Sequence, residues 1–232
     1  MQARPLVAEA IGTALLLAAV VGSGIMGERL AGGNVAIALL ANTLATGAAL
    51  VTLILTFGPI SGAHLNPAVT LVVALSDAWR GRAAWRHVPG YLIAQFGGAV
   101  AGVACAHLMF GEPLFTASRH VRSGGGQLFS EFIATFGLVA VIRGCGRSRP
   151  SAVPFAVGAY ITGAYWFTAS TSFANPAVTL ARSLTDTFAG IRPADAPGFI
   201  AAQLAGAIAA AALFAWLAPE LPDDLSDSEQ VA

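Results

Sequence analysis

Long apolar runs separated by short polar breaks make up most of the chain. Six of them read as membrane-crossing helices: residues 6–26, 34–57, 88–110, 127–142, 151–168 and 196–217. A spanning helix needs roughly 20 apolar residues, so the fourth run, short and carrying Glu131, has the least definite ends. Two further apolar pieces, each opening on Asn-Pro-Ala, are too short to cross alone. The second run carries Thr43, Thr46 and Thr52 and many small residues, which allows close helix contact in lipid. It meets the breaker pair Gly58–Pro59 and then Ser61, Gly62, Ala63, His64 and Leu65. A polar, glycine-bearing stretch inside apolar sequence predicts non-helical backbone at membrane depth. Such backbone is tolerated only where protein buries it or it lines a wet cavity.

The pattern occurs twice. NPAVTL stands at residues 66–71 and again at 175–180. Glu9 lies in AEAIGTALL and Glu131 in SEFIATFGL; Gln95 lies in AQFGGAVAG and Gln203 in AQLAGAIAA. The Asn-to-Gln gaps are 29 and 28 residues, and the Glu-to-Asn gaps are 57 and 44. The same order with nearly the same spacing is an internal duplication, with halves near 1–115 and 125–218. Three spans per half is an odd number, so the second half enters the membrane from the opposite face and the repeat is inverted. Glu9 also argues against reading the first run as a signal peptide, since its counterpart Glu131 lies mid-chain.

Composition sharpens this picture. The chain is 56% hydrophobic and 10% charged, against roughly 25% charged in soluble domains. It is read as one membrane domain, residues 1–218, followed by an acidic tail, 219–232. The formal net charge of zero suggests no nucleic-acid partner. Arg4, Arg80, Arg82, Arg86, Arg143, Arg147 and Arg149 fall on the side of the termini, and Arg29, Arg119, Arg122, Arg182 and Arg192 on the other. That excess places the termini and the tail in the cytoplasm and the protein in the inner (plasma) membrane. Cys105 and Cys145 lie in different segments and are read as packing residues. No nucleophile–base pair, metal-ligand cluster or phosphate-cradling motif is present in the sequence, so the reading is non-enzymatic, without cofactor or metal.

Asn-Pro-Ala has a local physical meaning. Asn is a favoured N-cap and Pro a favoured first helical residue. Asn66 and Asn175 each cap a short helix, leaving the side-chain NH2 directed forward as a donor. Inversion brings the two helix starts together near the bilayer midplane. Two amide donors and two positive helix ends then face one lumen, favouring neutral hydroxylated solutes over cations.

With these motifs the chain resembles the aquaporin family, the major intrinsic proteins, over essentially its whole length. The matching stretches are AEAIGT with Glu9, SGAHLNPAVT with Asn66, Pro67 and Ala68, AQFGGA with Gln95, Glu131, NPAVT with Asn175, Pro176 and Ala177, and AQLAGA with Gln203. The resemblance implies an all-α membrane protein: a right-handed bundle of six transmembrane helices plus two re-entrant half-helices, and a homotetramer with one pore per subunit. It implies that Glu9 and Glu131 are buried acceptors holding the re-entrant loops, and His64 is read as supporting its loop more than contacting solute.

One departure bears on function. Most family members carry Arg directly after the second Asn-Pro-Ala; this chain has Val178. Counting without gaps from the two motifs places the selectivity filter at Thr46, Gly163, Ser172 and Val178. That set is wide and free of Arg. Arg182, four residues beyond Val178, either faces the outer mouth or pairs with Asp186. Val in place of Arg resembles bacterial aquaporins linked to arsenic resistance. The expected function is passive passage of small uncharged solutes: trivalent metalloid hydroxides (arsenite, antimonite), glycerol-like polyols and water. A water-selective channel is the alternative. A secondary transporter would need an ionisable coupling group at the midplane, where only Glu9 and Glu131 are placed, and a structural protein with a closed pore would pass nothing.

Overall fold

The computed structural model describes residues 3–79 and 84–217. Arg80, Arg82 and the acidic tail of the sequence reading lie outside these residues. Eight α-helices follow one another: α1 (Ala3–Leu30), α2 (Val35–Ser61), α3 (Pro67–Trp79), α4 (Val88–Phe110), α5 (Gly125–Ser148), α6 (Val153–Phe167), α7 (Pro176–Arg182) and α8 (Ala196–Leu217). Short 3-10 turns, Ala84–His87 and Pro150–Ala152, precede α4 and α6. No strand occurs among the described residues. Each round of four helices, α1–α4 and α5–α8, has its third helix begin at an Asn-Pro-Ala stretch.

Local chemistry sets several ends. Asn34 caps α2 by accepting from the amides of Ala36 and Ile37. Gly62, at φ 84°, closes the same helix in the left-handed conformation that glycine adopts without a Cβ penalty. Four of the six expected spans differ in length from the sequence reading. The first extends to 28 residues and the second to 27. The fourth extends to 24, with Glu131 buried inside the bundle. The fifth, α6, is only 15 residues long, about 22 Å at 1.5 Å per residue. It gives way at Thr168 to a loop with three left-handed residues, Thr171, Ser172 and Ala174. The other five helices are long and apolar enough to cross a membrane.

Two closely packed helix pairs, α1 with α4 and α5 with α8, depend on missing side chains. A Cβ on Gly98 would stand 2.2 Å from the Ala10 carbonyl oxygen, and one on Gly102 2.2 Å from that of Ala14. In the second half, a Cβ on Gly206 would stand 2.3 Å from the Phe132 carbonyl oxygen. Gly98 and Gly206 follow Gln95 and Gln203 by three residues, and Ala10 and Phe132 follow Glu9 and Glu131 by one. The same close approach is therefore built twice. Each half-helix, α3 and α7, packs against both α4 and α8, and the two meet each other. α2 packs on α6 and completes the wall.

Candidate functional site

Both Asn-Pro-Ala stretches begin half-helices, as their capping chemistry predicts. Asn66 Oδ1 accepts from the Ala68 amide at 2.9 Å. Asn175 Oδ1 accepts from Ala177 and Val178 at 3.0 and 3.3 Å. The side-chain NH2 groups are not wholly free, however. Asn66 Nδ2 donates to the Ala174 carbonyl and Asn175 Nδ2 to the Leu65 carbonyl, both at 2.8 Å. An amide nitrogen carries two hydrogens, so one on each Asn remains for a solute.

The loops before the half-helices are strained in matching places. Ala63 and Leu65 have φ of 45° and 48°, and Ser172 and Ala174 have φ of 51° and 49°. These positions lie three and one residues before each Asn. Left-handed backbone at non-glycine residues costs roughly 1–2 kcal/mol apiece. Buried carboxyl groups hold it. Glu9 accepts from the His64 and Leu65 amides and the Ser61 hydroxyl. Glu131 accepts from the Phe173 and Ala174 amides. Gln95 and Gln203 tie these carboxyl groups to Thr70 and Thr179 of the half-helices. His64 plays two parts: its amide is held by Glu9, while its ring reaches Thr70 through Nδ1 at 3.1 Å and lines the lumen.

A cavity of about 210 Å³ runs past both Asn residues. One wall is apolar, built from α1, α2, α5 and α6, with Leu16, Leu50, Leu138 and Val157 among its residues. The other is the backbone of the two strained loops and the starts of α3 and α7. Thr46, Ser172 and Val178 line this cavity. Gly163 does not. It is exposed on the outside of the bundle, and a Cβ there would meet nothing within 4 Å. The inward residue is Tyr165, buried, with its hydroxyl donating to Thr46 Oγ1 at 3.3 Å. Two residues on a helix are about 200° apart, so the ungapped count across the 168–174 loop selected the wrong face. Tyr165 was missed because its place depends on how that loop folds.

Of the two alternatives for Arg182, the pairing with Asp186 is not formed: Asp186 instead takes the Arg119 side chain at 2.7 Å and its amide at 2.9 Å. Arg182 is fully buried, lines the cavity, donates from Nε to the Ala189 carbonyl and sets its guanidinium carbon over the Phe173 ring, 3.4 Å from the centroid. The cavity is thus not free of arginine, although the position after Asn-Pro-Ala is. Arg122, which the sequence reading counted only for topology, approaches the same ring at 5.0 Å. Its Nε and Nη1 are taken by the Gly190 and Ser170 carbonyls. Desolvation first, then the charges of Arg122 and Arg182, hold the nearby His120 below the usual imidazole range.

Arg29, in the last turn of α1, pairs with Glu112, Arg119 with Asp186, and Arg192 with Asp195. No group of three or more potential metal ligands occurs among the described residues.

A family model described as "Major intrinsic protein" matches residues 1–162 and 148–231. The chain is 59% identical over 214 residues to a protein of Rhizobium meliloti (strain 1021) named aquaglyceroporin AqpS, covering 92% of this chain and 90% of that one. It is 35% identical over 164 residues to aquaporin NIP1-3 of Oryza sativa subsp. japonica, covering 68% of this chain and 55% of the relative. The fold matches the X-ray structure of the aquaglyceroporin from Plasmodium falciparum with a TM-score of 0.69, over 91% of this chain and 95% of that one, at 20% identity.

Proposed function

Because the chain belongs to the major intrinsic protein family of membrane channels, we propose that it conducts small uncharged solutes passively: glycerol-like polyols, trivalent metalloid hydroxides such as arsenite and antimonite, and water. The observation that carries this reading is the cavity itself. Two Asn amides, each with one spare hydrogen, sit opposite an apolar wall, with Val178 where the family resemblance leads one to expect Arg. A neutral polyhydroxyl molecule can accept from the amides and rest its carbon or metalloid face on the wall. The name of the Rhizobium meliloti relative is in keeping with a solute larger than water. Glu9 and Glu131 are engaged by loop amides, which favours a channel over an ion-coupled transporter. The filter in this reading is Thr46, Tyr165, Ser172 and Val178. The chain works as a homotetramer in the inner membrane, with its termini cytoplasmic and the Arg182 end of the lumen outward.

A specific observation favours the second reading, a water-selective channel: Tyr165, a bulky ring, enters the lining where a glycine was expected. Flux in proteoliposomes separates the two. Native protein is expected to pass glycerol and arsenite as well as water. Val178→Arg is expected to lose the larger solutes and keep more of its water flux. Native protein passing water alone would overturn the wide-filter reading.

A further inference from the structure

We propose that Arg182 is the charge-selecting residue of this channel. Its guanidinium, laid on Phe173 one helical turn beyond Val178, excludes cations while leaving the wall at Val178 open to neutral solutes. The inference rests on the channel reading and adds a division of labour to it: charge is screened at one level of the lumen, and size at another.

Three observations carry it. Arg182 is 1% exposed and lines the cavity. Among the described residues no carboxylate forms an ion pair with it; its recorded hydrogen bond uses Nε alone, on the Ala189 carbonyl. The two terminal nitrogens, with four N–H donors, have no recorded protein acceptor. A buried guanidinium without a counter-charge is costly, and here its solvent is the content of the lumen. The Ser172 hydroxyl, which belongs to the same cavity lining, is buried and has no partner either. A passing neutral solute finds donors from Arg182 and a hydroxyl from Ser172. A cation finds an uncompensated positive charge at close range in a low-dielectric passage.

The Phe173 ring explains how this charge coexists with an open lumen. A planar guanidinium stacks on an aromatic face, so Arg182 lies along the wall and does not project across it. The ring is fixed from behind by an edge-to-face contact with Phe199 at 5.3 Å and from its backbone by Glu131. Arg122 reaches the same ring, but its Nε and Nη1 bond loop carbonyls. It adds positive potential and braces the loop, while Arg182 faces the permeant.

Urea and guanidinium supply the test, being planar, alike in size and different in charge. Uptake of both, with glycerol as a second neutral solute, is measured in proteoliposomes of native protein, Arg182→Lys and Arg182→Gln. Both substitutions lose the stack and the Nε bond, so only charge separates them. Native protein and the lysine variant are expected to pass urea and exclude guanidinium. The glutamine variant is expected to raise the guanidinium-to-urea ratio at least about tenfold. Arg182→Met is a second neutral variant, read the same way if the glutamine variant fails to reconstitute. Equal ratios in the charged and neutral variants, or comparable uptake of both solutes by native protein, overturn the inference. Native protein that passes neither urea nor glycerol refutes the wide-filter reading instead.

Discussion

Asn66 and Asn175 each donate a side-chain hydrogen bond to the carbonyl just before the other, Asn66 to Ala174 and Asn175 to Leu65, both at 2.8 Å. The two half-helices are thereby clasped tip to tip. Each Asn also caps its own helix through the oxygen of the same amide. Asn66→Ala is expected to lose about 1 kcal/mol for the cap and a further ~1–3 kcal/mol for the stranded carbonyl. Asn66→Asp keeps the cap but turns the donor into an acceptor facing an acceptor, and is expected to be at least as unstable. Thermal unfolding in detergent gives the order.

Glu131 is the next test, because two strained residues depend on it. Glu131→Gln places an NH2 group where amides of Phe173 or Ala174, or Gln203 Nε2, now donate. Each stranded donor is expected to cost ~1–3 kcal/mol. Glu9→Gln is expected to act alike on the first loop. A thermal midpoint unchanged in either variant would show that the loops hold their left-handed residues without the carboxyl groups.

Helix approach gives a paired prediction. Gly98→Ala and Gly206→Ala put a methyl group against main-chain oxygen, Ala10 and Phe132 respectively, which cannot rotate away. Both are expected near the top of the ~1–3 kcal/mol range for overpacking, and both should lower the monodisperse yield on size-exclusion chromatography. Gly97→Ala, where a Cβ meets nothing within 4 Å, is the control and should not.

The register of α6 is tested by two neighbouring positions. Gly163→Leu should leave glycerol flux unchanged, since the position lies outside the bundle. Tyr165→Ala should admit a four-carbon polyol that the native protein holds back, because it removes a ring from the lumen wall. The opposite pattern would restore Gly163 to the filter.

At the loop end, the Arg119 amide and then its side chain hold the Asp186 carboxyl below the usual range. A depressed carboxyl adds stability that is present above its unfolded-state value and lost as pH falls through the folded one. Asp186→Asn should therefore lower the thermal midpoint slightly at pH 5 to 8 and converge with native protein in strong acid. The difference should shrink in high salt, because Arg119 is exposed.

Much of this molecule was legible in one dimension. Apolar run length, two copies of NPAVTL and the spacing of Glu9, Gln95, Glu131 and Gln203 are local signals. Each maps onto a local cause: burial in lipid, an N-cap followed by Pro, a carboxyl that must find donors. Those elements stand where the pattern put them, and the sequence by itself determined the duplicated helical plan and the pair of capped half-helices.

The tertiary structure alone decided which side chains meet in the lumen. Thr46 and Tyr165 touch across 119 residues of chain, and Arg122 and Arg182 converge on one ring. Such contacts turn on helix rotation and on the path of the 168–174 loop, where one residue of slip moves a side chain by about 100°. Counting along a chain cannot supply that angle. It also cannot tell that Asp186 is taken by Arg119, leaving the buried guanidinium of Arg182 to face the passage.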